Sequence, residues 1–233
     1  MAMRSPNSND ISKMQVEKLN APLGAKITGV DFSQPINYDA REFLKKAWSD
    51  YLILIFTGQQ HISQEQHIEA TRVFGLPVPG ASRSYFEAAN VESNLLPQHQ
   101  EIIMVTNMGN DGKPAKENAS LGSGEVVWHS DNSYIEEPPI GSFLRSLVLP
   151  KDGGNTSFSN QYLAYETLPS DVKAKIAGLY TKQDASRNSA GRLRPGVTAP
   201  KSLEEVPGPN HPLVRLHPIS QKPALYLGRR RAF

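Results

Sequence analysis

The longest apolar run in this chain, YLILIF at residues 51–56, is far too short to cross a bilayer. Its length and flanks read as a buried strand. A hydrophobic core must therefore be assembled from many short segments collected along the chain. Further strand-like segments are GAKITGVDF at 24–32, with Gly29 as a bulge, EIIMVT at 101–106, and residues 126–134 and 142–149. Residues 156–159, after the Gly153-Gly154 turn, and residues 212–217 and 224–228 complete the set, with a bend at Ser220-Gln221-Lys222. Helical spacing is confined to a few places. Residues 38–50 put Phe43, Leu44 and Trp48 on one face, and residues 170–180 do the same with Val172, Ile176 and Leu179. Ser63 and Gln66 fit a capping box that starts a helix running to about Phe74. Irregular stretches rich in Pro, Gly, Ser and Asn fill 75–100, 107–124 and 187–209, and loops of that length often carry function. The pattern is α+β: a double-sheet β core with helices packed outside.

A chain of 233 residues suffices for one domain with a sizeable core. The formal net charge of +2 gives no electrostatic reason to seek nucleic acid or an anionic membrane. With no cysteine, disulfides, zinc–thiolate sites, iron–sulfur clusters and cysteine nucleophiles are excluded, so any metal must be held by nitrogen and oxygen. Residues 1–14 are polar, lack the apolar segment of a signal peptide, and read as a flexible tail. A cytoplasmic address is the expectation.

The sharpest local feature is Trp128-His129-Ser130-Asp131. On a strand, residues i and i+2 share a face, so His129 and Asp131 would project together. An imidazole nitrogen and a carboxylate on one face can hold a metal from two corners. One more histidine would complete a two-His, one-carboxylate triad with open positions for a co-substrate and dioxygen. Taken alone, a His-x-Asp triplet is more often a surface pair or a structural hydrogen bond.

The neighbourhood adds to it. WHSDNSYIEEPPIGSFLRSLVLPKDGGNTSFSNQYLAYETLP, residues 128–169, resembles the core block of the TauD/TfdA family of Fe(II)/2-oxoglutarate-dependent dioxygenases. The Trp-His-x-Asp start, the Pro138-Pro139 pair, the Gly153-Gly154-x-Thr156 turn and the Tyr165-Glu166-x-Leu168 helix all match in order and spacing. LGAKITGVDFSQPI (23–36), LILIFTGQQHISQEQHIEATRVFG (52–75) and HPLVRLHPISQKPALYLG (211–228) extend the resemblance over nearly the whole chain. It implies a double-stranded β-helix (jelly-roll) core with flanking helices, occupying residues 15–233. It implies His129 and Asp131 as catalytic iron ligands, Thr156 as a contact of the 2-oxoglutarate carboxylate, and Asn132 and Tyr134 facing the substrate. Trp128 and Tyr134 read equally well as plain core aromatics. The implied cofactors are Fe(II) and 2-oxoglutarate as co-substrate. The implied reaction uses dioxygen to split 2-oxoglutarate into succinate and carbon dioxide while a small-molecule substrate is hydroxylated. Asp131 also separates this chain from halogenase relatives, where Ala or Gly stands in that place.

The resemblance breaks at the end. Family members continue past the position of Gly228 and there supply a second iron-binding histidine and an arginine for 2-oxoglutarate. This chain closes on Arg229-Arg230-Arg231-Ala232-Phe233, which reads as a solvated tail. The domain is thus expected to lack its C-terminal strands and to expose apolar surface. The readings are a truncated dioxygenase, which is favoured, a degenerate member with a binding or assembly role, and a homo-oligomer that supplies the ligand in trans. His61, His67, His99, His211 and His217 are the remaining histidines, and none matches a ligand position. Glu125, just before the block, would repel a sulfonate and argues against taurine as substrate.

Overall fold

The computed structural model describes residues 9–90, 95–106, 108, 113, 128–188 and 191–228. In chain order the elements begin β1 (Gln15–Lys18), β2 (Ala25–Thr28), α1 (Tyr38–Tyr51), β3 (Leu54–Phe56), α2 (Gln64–Thr71) and α3 (Arg83–Ala88). Then come β4 (Leu95–Leu96), β5 (His99–Ile103), α4 (Gln161–Glu166), α5 (Ser170–Ile176), β6 (Tyr180–Lys182), β7 (Asn210–Pro212), β8 (Val214–Leu216) and β9 (Pro223–Leu225). The fold is mixed α+β. Among the described residues the strands form one three-stranded sheet, β1-β2-β3, and three two-stranded ones, β4-β5, β6-β7 and β8-β9. The chain divides into two compact units. One takes the chain through Pro77, Gly141–Glu166 and His217–Lys222; the other takes Val78–Ile140, Thr167–Leu216 and the chain from Pro223.

In the first unit β2 pairs antiparallel with β1 and parallel with β3, and α1 makes the crossover between β2 and β3. β2 alternates as the pleat requires: Ala25 and Ile27 are buried, while Lys26 and Thr28 are less so. α1 starts where Asn37 accepts a hydrogen bond from the Ala40 amide, 2.8 Å. It buries Ala40, Leu44 and Ala47, spaced by four and three residues on one stripe. It stops at Leu52, whose φ of 67° leaves the helical region while its N–H still reaches Trp48 O. The run at 51–56 therefore forms a shorter strand than expected, because α1 claims Tyr51. α2 carries the expected capping box between Ser63 and Gln66. Ile27, Phe32, Leu44, Ala47, Ile62, Ala70 and Val73 form the core, with Phe56, Phe74 and Phe143 packed against it.

Two expectations change here. Residues 9–14 are anchored rather than loose. Asn9 is buried, its side-chain oxygen accepts from Asp31 N at 2.8 Å, and its amide donates to Asp31 O at 3.0 Å. Residues 142–149 form no strand, bend at 147–148 and join no described sheet. Phe143 enters the core and Arg145 donates to Gln60 O at 3.1 Å. Leu144, Leu147, Val148 and Leu149 stay 70, 76, 91 and 71% exposed.

The second unit is built from short antiparallel pairs. β6 and β7 register Thr181 with His211, and β8 and β9 register Arg215 with Ala224. The helix expected at 170–180 ends at Ile176, and Tyr180 starts β6 instead. Gly208, at φ 116°, passes so close to Gln183 O that a Cβ would sit 2.0 Å from it, so only glycine fits.

Candidate metal centre

The described part of the expected strand 126–134 is not a strand. From Trp128 the chain bends, and residues 131–134 form a turn. Asn132 adopts φ 52°, and the Ile135 amide closes the turn on Asn132 O at 3.2 Å. A left-handed residue breaks period-two alternation, so the strand argument for a shared face fails. The side chains converge nonetheless: His129 Nε2 lies 2.9 Å from Asp131 Oδ1. The turn, not the pleat, brings them together. Donors in adjacent corners of an octahedral site, each ~2.1 Å from the ion, stand about 3 Å apart. The pair therefore has the spacing of two cis ligands, and the same spacing serves a direct hydrogen bond when no ion intervenes. His129 is partly covered, its side chain 22% exposed, while the Asp131 side chain is 72% exposed. One flank of the pair is open to an incoming molecule.

The backbone behind the pair is buried. Ser133 and Tyr134 retain 2% and 6% of their exposure. His211, on β7, is itself buried and directs Nε2 at two carbonyl oxygens, Ser133 O at 3.0 Å and Ile135 O at 3.1 Å. Carbonyls only accept, so His211 Nε2 carries the proton. Tyr226 meets the His211 ring edge-on at 5.3 Å, and the Arg215 guanidinium lies 4.4 Å from the Tyr226 ring centre. Burial raises the Tyr226 phenol above its ordinary range against the pull of Arg215, and nearby Asp131 raises it further. Tyr226 is therefore a neutral phenol within the electrostatic reach of Asp131. A Cβ on Gly228 would stand 3.1 Å from His129 Cα, so the chain after β9 runs close against His129. Arg194, buried, stacks 3.9 Å over the Tyr134 ring and 5.0 Å from that of Tyr85.

The other expected site residues fall as follows. Asn132 supplies the left-handed residue of the turn, half-buried. Tyr134 is a packed aromatic under Arg194, and Trp128 is 59% exposed. Thr156 follows Gly153 and Gly154, both at positive φ as the expected turn requires, and is exposed in the first unit. His61 faces Asp31, Nε2 to Oδ1 2.9 Å. His67 donates to Phe143 O at 3.1 Å, and His217 Nδ1 accepts from the Ser220 amide at 3.3 Å. These partners tie His61, His67, His211 and His217 to structural work. Among the described residues no cluster of three or more His, Asp or Glu could hold a metal ion. Glu125 and Arg229 to Arg231 lie outside the described residues. The sequence reading missed His211 as a support, together with Arg194 and Tyr226. Only the family block at 211–228 pointed to that region, and it carried no hint of their contacts.

The family model for "Taurine catabolism dioxygenase TauD, TfdA family" matches residues 15–233. An alkylsulfatase of Acinetobacter baylyi is 26% identical over 94% of this chain and 64% of its own. An alpha-ketoglutarate-dependent 2,4-dichlorophenoxyacetate dioxygenase of Cupriavidus pinatubonensis is 28% identical over 90% of this chain and 71% of its own. The chain thus spans about two thirds of the length of these relatives. A taurine dioxygenase from Burkholderia xenovorans shares the fold at a TM-score of 0.68 and 23% identity, covering 95% of this chain and 65% of its own. AAD-2, solved with Mn(II) and N-oxalylglycine, also superposes at 0.68 with 25% identity, covering 93% of this chain and 73% of its own. With the family model running from β1 to the last residue over the His129-x-Asp131 turn, this chain belongs to the TauD/TfdA family of 2-oxoglutarate-dependent dioxygenases.

Proposed function

We propose that the chain is an Fe(II)/2-oxoglutarate-dependent dioxygenase acting on a small-molecule substrate, with His129 and Asp131 as iron ligands. One observation carries the reading: an imidazole Nε2 and a carboxylate oxygen 2.9 Å apart on an exposed turn, the spacing of cis ligands. When bound, iron(II) would supply the activation of dioxygen that couples decarboxylation of 2-oxoglutarate to hydroxylation. The chain's residues do the rest. His129 offers Nε2 in its neutral form, and Asp131 adds a negative charge that favours a cation. The neutral Tyr226 adds no second anion beside them. Asn132 and Tyr134 are proposed to border the substrate. The finer fold expected with this chemistry, a jelly-roll core across residues 15–233, belongs to the same proposal.

A small-molecule substrate agrees with a relative whose name specifies 2,4-dichlorophenoxyacetate. Two donors with no third among the described residues favour a second reading, in which the chain binds metal without completing turnover. Succinate formation separates the two. The dioxygenase reading expects iron-dependent succinate from 2-oxoglutarate, abolished by His129→Ala. Metal uptake without succinate supports the second reading, and succinate persisting in His129→Ala refutes the ligand assignment.

A further inference from the structure

We infer that His211 is a positioning residue of the candidate metal centre: its single Nε2–H, shared between Ser133 O and Ile135 O, clamps the turn that aims Asp131. The inference rests on reading His129 and Asp131 as metal ligands. Asp131 is largely exposed, so packing does little to fix its direction, and the backbone it hangs from helps to set it. That backbone is strained in the relevant place. Asn132, a non-glycine residue at φ 52°, sits in the left-handed region and persists there because its surroundings hold it. Ser133 is buried, and a buried carbonyl left without a donor is costly. One imidazole N–H reaching two carbonyls two residues apart satisfies both and sets the curvature of the turn between them.

His211 can hold this position because it is itself held. The β6–β7 ladder registers His211 against Thr181, and the Tyr226 ring closes one side of the imidazole at 5.3 Å. The two ends of the clamp are 78 residues apart in the chain, so the contact also joins β7 to the turn as a tertiary tie. Both hydrogen bonds of the His211 Nε2–H go to main-chain oxygens. Its effect passes through the backbone of residues 131–135, in the way supporting hydrogen bonds orient metal ligands elsewhere.

The test uses the full chain, Mn(II) as probe, and two variants. Free Mn(II) is read by electron paramagnetic resonance during titration, and amide hydrogen exchange is read at residues 131–135. His211→Phe keeps a ring and loses the donor; His211→Gln keeps an N–H that reaches both carbonyls. The expected result is about tenfold weaker Mn(II) binding in His211→Phe, with faster exchange at the Ile135 amide, and recovery to within about threefold in His211→Gln. Wild-type Mn(II) affinity in a folded His211→Phe overturns the inference. So does equal loss in both variants, which would assign the role to the ring rather than the hydrogen bond. If His211→Phe does not fold, His211→Gln decides alone: near wild-type affinity upholds the clamp and a tenfold loss overturns it. If the wild type takes up no Mn(II), the metal reading falls. The clamp is then judged by exchange, and unchanged protection at 131–135 in His211→Phe overturns it.

Discussion

Replacing His129 with alanine should separate a metal ligand from a structural ion pair, because the two roles predict opposite balances of effect. The Asp131 side chain is 72% exposed and that of His129 is 22% exposed, so their contact in the absence of metal is close to a surface pair. Such pairs contribute about 0.2–1 kcal/mol. Loss of the partly covered imidazole adds a small packing cost, and the total expected loss of folding stability is ~1 kcal/mol or less. Metal affinity should fall far more. Removing groups that merely support a ligand costs about 10–100-fold, so deleting a donor atom should cost ~100-fold or more, close to 3 kcal/mol of binding. The assay pairs urea unfolding with a Mn(II) titration on the same preparations. A folded His129→Ala protein that binds Mn(II) as tightly as wild type would refute the reasoning. A stability loss of ~3 kcal/mol with little change in affinity would recast the pair as structural.

Further predictions concern the first unit and its surface. Leu44 is fully buried in the core, so Leu44→Ala should cost about 2–5 kcal/mol by urea unfolding; a loss under ~1 kcal/mol would mean that core is wrongly assigned. His67 has its pKa lowered below 6.5, first by burial and then by the charge of Arg145, against the opposing hydrogen bond to Phe143 O. The fold therefore favours neutral His67. Its contribution is fully present above about pH 6.5 and is lost as pH falls below that value through the folded pKa. His67→Gln should flatten the stability profile below about pH 6.5, and an unchanged slope would refute the assignment. Exposed Leu147, Val148 and Leu149 should bind a hydrophobic dye, and changing all three to serine should sharply reduce its emission with little change in unfolding midpoint.

Local signals in this sequence translated well. The Ser63–Gln66 capping box needs only four neighbouring residues, and it forms as read. α1 was legible because Leu44 and its neighbours lie on one stripe whatever they pack against. The signals that failed depend on partners distant in sequence. Residues 142–149 have the composition of a strand, yet a strand exists only through the ladder beside it, and no described sheet takes this segment in. At 128–134 alternation carries no sign that Asn132 turns left-handed, so His129 and Asp131 come together by a turn rather than by the pleat. His211 shows the limit most clearly. Its burial and its two carbonyl partners arise from a contact across 78 residues, which composition and periodicity do not encode.

The central claim is that His129 and Asp131 hold iron(II) in a form that admits 2-oxoglutarate. Anaerobic addition of iron(II) and then 2-oxoglutarate to the full chain, followed by visible absorption, tests it directly. The account predicts a weak charge-transfer band that saturates with 2-oxoglutarate and is absent in His129→Ala and Asp131→Ala. No band in the wild type, with iron lost on gel filtration, would contradict it.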